Sequence, residues 1–201
     1  MTVRILFTGI LLITICVTGH TQRLDSTEVQ EWVDIPILEW EEYYDYEGSF
    51  RVRTPGPFVQ RVDTVKTPLG KLAYHTFMFV MKNESYAENV FYMVNYCDYP
   101  PGALHQDSTE LLAEFMDATV DEATRAVRGE LVYQDDIDIN EFPGRFWRIH
   151  YRGGDAVIKT KAFVVGNRYY QVQTAMTREM GLNRASDEFL DSFRLIGEVR
   201  N

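Results

Sequence analysis

The side chains that could carry chemistry are few, and their spacing excludes most reactions. Beyond the N-terminal segment the histidines are His75, His105 and His150, none at ligand spacing from another. No Cys-x-x-Cys occurs, so no metal is expected. Asp136, Asp138 and Asn140 begin like a calcium loop, but Glu141 stands where the loop needs glycine and Trp147 where it needs a carboxylate. At period two these three side chains share one face of a strand, opposite Ile137 and Ile139, and read as a solvated face. No Gly-x-Ser-x-Gly, P-loop or dinucleotide fingerprint is present, so neither a catalytic residue nor an organic cofactor is expected. Cys97 lies in an apolar, strand-like run and reads as a small buried hydrophobe, not a nucleophile.

The remaining chemistry is charge. From Phe142 to Arg184 there are eight bases and two acids. If Gly153-Gly154 is a two-residue hairpin turn, Arg152 pairs with Asp155, and counting back sets Arg148 opposite Lys159 and Phe146 opposite Lys161. Trp147, Ile149 and Tyr151 then point to the other face with Ile158, the expected core side. Like charges directly opposite each other are mildly destabilising unless water screens them or an anion lies over them. Arg148, Lys159 and Lys161 are therefore the candidate binding residues, an acid-binding face. Its anion comes either from the chain's own acidic arm or from an external acidic partner; a plain solvated face is the third reading.

The elements that must position these residues follow from turns and periodicity. Phe50-Arg51-Val52-Arg53 alternates and ends at Thr54-Pro55-Gly56-Pro57; Val59–Val65 alternates next; Pro68-Leu69-Gly70 turns the chain into Leu72–Met81. Val90–Tyr96 is nearly all apolar or aromatic, as in a central strand covered on both faces. Asp107, with Glu110 three residues on, predicts a capped helix to Arg128, the longest outside the N-terminal segment, with Gly129 as its stop. Leu131–Ile139, Arg145–Tyr151, Ala156–Val165 and Arg168–Thr174 follow as strands joined by tight turns, hence antiparallel. Ser186 is expected to cap a last short helix with Phe189, Leu190 and Phe193 as its apolar face. The class is α+β, an antiparallel sheet flanked by helices.

The chain has 201 residues and a net charge of −10, with 45% hydrophobic and 25% charged residues, which suits one globular domain. The acidic balance disfavours nucleic acid, whose phosphates need cations. Leu24 to Gly48 carries nine acids and no base, together with Trp32, Trp40, Tyr43, Tyr44 and Tyr46. Its aromatics predict that Glu39–Glu47 packs on something while the carboxylates stay solvated. Arg4 followed by the apolar run Ile5–Val17 is the pattern of a secretory signal, with the mature chain beginning near His20 or Gln22. The expected division is a signal peptide over 1–21, an acidic aromatic arm over 22–48 and an α+β domain over 49–201. Membrane attachment follows only if the signal is retained or Cys16 is lipidated, and the bulky Ile15 speaks against lipidation. Cleavage leaves Cys97 alone, so no intrachain disulfide forms, which points to the bacterial periplasm or secretion. Asn83-Glu84-Ser85 is a glycosylation sequon in a eukaryotic host only.

Phe50-Arg51-Val52-Arg53-Thr54-Pro55-Gly56 is similar to the opening strand of PsbP-like domains. Met93–Pro100 resembles their central strand. Ile137-Asp138-Ile139 with Pro143-Gly144-Arg145, then Gly166–Val172, resembles their late hairpins, and Phe189–Leu195 their closing helix. The likeness is to a bacterial envelope branch of the superfamily that includes DcrB. It implies an antiparallel α/β/α sandwich and a role in binding or assembling a protein partner, without catalysis. That branch commonly has Glu after Pro-Gly-Arg, where this chain has Phe146. The function expected is thus an exported, non-catalytic envelope domain that binds a protein partner. The alternatives are a small-ligand carrier with an apolar pocket and a carboxylate-dependent envelope hydrolase.

Overall fold

A computed structural model describes residues 39–81, 87–104 and 108–197. The signal segment, Cys16, the arm up to residue 38, the sequon, His105 and Asp107 lie outside the described residues.

Among the described residues ten strands form two sheets, accompanied by two α-helices. The strands are β1 (Glu41–Asp45), β2 (Phe50–Thr54), β3 (Val59–Thr67), β4 (Gly70–Val80), β5 (Phe91–Asp98), β6 (Glu130–Ile139), β7 (Phe142–Tyr151), β8 (Ala156–Val165), β9 (Arg168–Thr177) and β10 (Arg194–Leu195). Helix α1 (Thr109–Ala126) lies between β5 and β6, and α2 (Arg184–Ser192) between β9 and β10. The large sheet has the order β3-β4-β5-β9-β8-β7-β6 and is antiparallel throughout. The small sheet has the order β1-β2-β10. The α+β class expected from turns and periodicity is the class observed.

Two apolar clusters lie on either side of the large sheet. Leu112, Phe115, Met116, Val120 and Ala123, one stripe of α1, pack on Cys97, Trp147, Ile149, Ala162, Val164 and Tyr169. Across the sheet, Phe189, Leu190 and Phe193 of the α2 end pack with Phe50 and Val52 of the small sheet on Phe77, Tyr92, Val94, Phe163, Tyr170 and Val172. Strands β8 and β9 are therefore buried on both faces. Strand β5 is fully buried on the α2 side; on its other face Cys97 is buried under the α1 layer and Phe91, Met93 and Asn95 are half-covered.

Several boundaries differ from the expectation, each for a physical reason. Ser108 caps α1, its Oγ accepting from Leu111 N at 3.3 Å, so Glu110 sits one position too early for a capping box. Helix α1 ends at Ala126, and the left-handed residue that closes it is Arg128 (φ 51°), not Gly129. Gly129 N donates to Thr124 O at 2.9 Å and Arg128 N to Arg125 O at 3.0 Å, the paired bonds of a Schellman turn. Gly129 is required for another reason: a Cβ there would stand 2.6 Å from His150 O and 2.5 Å from Ile149 Cγ2. Asn183, not Ser186, caps α2, accepting from Ser186 N at 2.7 Å. The Ser186 hydroxyl is instead spent on Thr174 Oγ1, 2.7 Å away.

The division drawn at residues 48/49 from charge coincides with no structural break. β1 pairs along its whole length with β2, from Glu41↔Thr54 to Asp45↔Phe50. Aromatic rings hold this hairpin on the core: Trp40 meets Tyr92 edge-on at 5.6 Å, and Tyr43 meets Phe58 at 5.0 Å and Phe77 at 5.8 Å. Arg168 closes the corner. Its Nε and Nη2 donate to both Asp98 oxygens at 2.5 and 2.7 Å, its Nη1 donates to Glu47 O at 2.8 Å, and its guanidinium covers the Tyr96 ring at 4.6 Å. The charge-assisted bond to Asp98 pushes the Arg168 pKa further above its ordinary value.

Candidate functional site

The β7–β8 hairpin turns through Arg152-Gly153-Gly154-Asp155, with positive φ at Arg152 (53°), Gly153 (69°) and Gly154 (99°). The pairs Tyr151↔Ala156, Arg148↔Lys159 and Phe146↔Lys161 follow, the register that the counted turn predicts. Arg148, Lys159 and Lys161 thus share one face, and Trp147, Ile149 and Ile158 the other. Trp147 and Ile149 are buried under α1.

The basic face is not open, because α2 lies on it. Lys159 is only 3% exposed, and its Nζ donates to Asp187 Oδ1 at 2.8 Å. Lys161 pairs in the same way with Asp191 and lies 5.9 Å from the centroid of the Phe146 ring. The geometry matches because four residues of helix advance about 6 Å and two residues of strand about 6.7 Å. The acids over these lysines therefore come from the chain's own closing helix. Two described acids of the arm are engaged elsewhere: Glu42 pairs with Arg51 at 2.8 Å, and Asp45 accepts from Gly48 N within its own turn.

Arg148 has a different environment. Among the described residues no carboxylate forms an ion pair with it, and its buried Nε has no hydrogen-bond partner. Its Nη2 presses on the backbone at Gly181, where a Cβ would stand 2.6 Å away. Two residues along β7 on the same face, His150 has a buried Nε2 that also lacks a partner. Burial holds the His150 pKa below its usual value, and the charges of Arg148 and then Arg178 lower it further. Arg178 extends the β9 parity of Met176, which pairs with Val157, and is exposed. No carboxylate forms an ion pair with Arg178 among the described residues. The structure thus separates the three candidate residues: Lys159 and Lys161 are neutralised by α2, while Arg148 joins His150 and Arg178 in a corner with excess positive charge.

Arg178 belongs to the basic run from Phe142 to Arg184 and is not among the three candidate residues. The signal for it is the tight Gly166-Asn167 turn, which sets Val165↔Arg168 and, by counting, carries Arg178 to the Arg148 face. The calcium-like trio, Asp136, Asp138 and Asn140, is exposed as expected, and Asp136 has a structural partner. Asp136 Oδ1 is 2.7 Å from Arg145 Nε, and Arg145, 8% exposed, also donates to Asp117 of α1 at 2.7 Å and to Gln134 at 3.0 Å. Arg145 therefore ties β6, β7 and α1 together. Cys97 is fully buried, and burial, with the charge of Asp98 next, pushes its thiol up to about 12. It is no nucleophile at neutral pH.

No family model matches the chain, and no curated protein matches it in sequence. Among solved structures, the solution structure of cyanobacterial PsbP (CyanoP) from Synechocystis sp. PCC 6803 is similar, with a TM-score of 0.51 at 12% sequence identity. The match covers 81% of this chain and 95% of that one. What the chain shares with that protein is the PsbP-like fold, an antiparallel sheet between helical layers.

Proposed function

We propose that this protein is a non-catalytic domain that binds a protein partner, and that it recognises an acidic group of that partner through Arg148 and Arg178. The observation that supports the reading is the Arg148 corner: a half-buried guanidinium with an unsatisfied Nε, beside a second unpaired arginine. A buried donor without an acceptor costs about 1–3 kcal/mol. A partner carboxylate at this corner offsets the repulsion between the two cations. Lys159, directly opposite Arg148, and Lys161, two residues further along β8, need no such acceptor, because Asp187 and Asp191 already serve them. The PsbP-like fold agrees with a binding role, and the apolar run after Arg4 with export to a bacterial envelope, in the branch that includes DcrB.

The test is a photo-crosslinking residue at exposed Met180, next to Arg178, in the native host. A discrete adduct is expected that weakens with Arg148→Glu, with Arg178→Glu and with added salt, because exposed charges are screened. In vitro, a Glu-rich synthetic peptide should shift the amide resonances around Gly181 in the unaltered protein and not in Arg148→Glu. An adduct indifferent to both reversals, together with no peptide response, rejects the reading.

A further inference from the structure

Among the described residues strand β3 is one edge of the large sheet, with no strand on its outer side, and it carries a self-complementary sequence. Taken about Val62, the residues Val59-Gln60-Arg61-Val62-Asp63-Thr64-Val65 read as their own complement in an antiparallel pair. Val59 falls opposite Val65, Gln60 opposite Thr64, Arg61 opposite Asp63, and Val62 opposite itself. We infer that β3 is a homodimerisation edge, on which a second copy of this chain pairs antiparallel about a two-fold axis at Val62.

Three observations support this occupant. Val59 is 72% exposed and Val62 58% exposed, both apolar, on a nine-residue edge strand. Such an edge presents a row of unpaired backbone groups ready for another strand. The charges are placed for pairing, not for repulsion: each Arg61 lies directly opposite Asp63 of the second copy, twice in the interface. Opposite charges in directly opposed positions favour a strand pair, and like charges disfavour it. Moving the axis by one residue in either direction sets Arg61 on Arg61 or Asp63 on Asp63, so charge also selects the register. The isologous arrangement is the one a closed dimer needs. The opposite edge of the sheet behaves differently. Strand β6 carries Glu130, Asp135, Asp136 and Asp138 and no base, so two copies of it repel.

In the monomer Arg61 Nη2 and Asp63 Oδ1 are 2.7 Å apart along the strand, on one face. The dimer exchanges that exposed pair for two cross-strand pairs and covers four exposed valine side chains, two from each copy. Pairing through one edge falls below the standard interface of roughly 1,200 Å², so the association is expected in the weak range, with Kd of about 0.1–1 mM.

Sedimentation equilibrium of the full-length chain, expressed in its host, over about 0.02–2 mM tests the inference. A monomer–dimer equilibrium is expected. Arg61→Asp alone and Asp63→Arg alone should each weaken it at least about tenfold, because each creates two like-charge pairs. Mixed together, these two variants should form a heterodimer at wild-type strength, since every 61–63 pair is again of opposite sign. That rescue also shows that both variants are folded. A wild-type chain that stays monomeric throughout overturns the inference. So does a dimer that survives either single reversal, or one that depends on Asp135→Lys in β6 instead.

Discussion

Asp187 lies directly over Lys159, and the next turn of the same helix places Asp191 over Lys161. A buried strand ammonium is thereby answered by a largely exposed helix carboxylate. Asp187→Ala should lower stability by about 1–3 kcal/mol, because it strands a buried charge. Lys159→Met, which removes the charge and keeps the stem, should change stability by less than about 1 kcal/mol. Urea denaturation of the two variants and of the double variant measures this. The double variant should recover most of the loss of Asp187→Ala, and if it does not, the pair is not the cause.

The end of α1 makes a second prediction. Arg128 is exposed and left-handed (φ 51°), a conformation that costs a non-glycine residue about 1–2 kcal/mol. Arg128→Gly should therefore stabilise the protein by about 1 kcal/mol. Gly129→Ala, one residue on, should destabilise it by about 1–3 kcal/mol, because its Cβ meets the β7 backbone. Thermal melts of both variants should move in opposite directions.

His150 gives the fold a pH dependence of known sign. Its folded pKa is depressed, so the unfolded chain binds a proton that the folded chain resists. The stability it contributes is present above the unfolded value of about 6.5 and is lost as pH falls through that value toward the folded one. Denaturant midpoints from pH 8 to pH 5 should decline in the wild type, and that component should vanish in His150→Gln. A decline unchanged by the substitution would assign it to other groups.

Cys97 should be inert while the fold is intact. Its thiol is buried and titrates only near pH 12, so iodoacetamide at pH 8 should leave it unmodified. In denaturant one alkyl group should add to it, read by intact mass. Stoichiometric labelling of the native protein would show that the β5 end of the core opens readily.

The hairpin registers were legible because two-residue turns leave no freedom: Gly153-Gly154 and Gly166-Asn167 set every pair of β7, β8 and β9 by counting. The cover on the basic face was not legible in the same way. Alternating lysines on a strand ordinarily mark a solvated face, since Lys is rarely buried unpaired. The signal that it is covered is the i, i+4 spacing of Asp187 and Asp191, more than 25 residues later, and only the three-dimensional return of α2 brings it to bear. The hairpin β1–β2 was hidden by its charge: nine acids without a base read as an arm, although Trp40 and Tyr43 point into the core. At α2, Asn183 outcompetes Ser186 as cap because it also joins a buried amide cluster, with Asn89 at 3.0 Å and Met180 O at 2.7 Å. Such a choice depends on residues distant in sequence.

Strand β2 is the place where the two ends of the described chain meet. On one side it holds β1; on the other, Arg194 and Leu195 pair with Arg51 and Phe50. Phe50 stacks on Phe193, which stands 143 positions later in the sequence. Closing so long a loop is slow, and folding rates fall as contacts become less local. A chain growing from its N-terminus therefore carries an open seam along Phe50 and Val52 until α2 and Phe193 are made. A polypeptide halted before Phe193 has its α1 layer available but no lid on the other side. Resistance to proteases is therefore expected to arrive with α2.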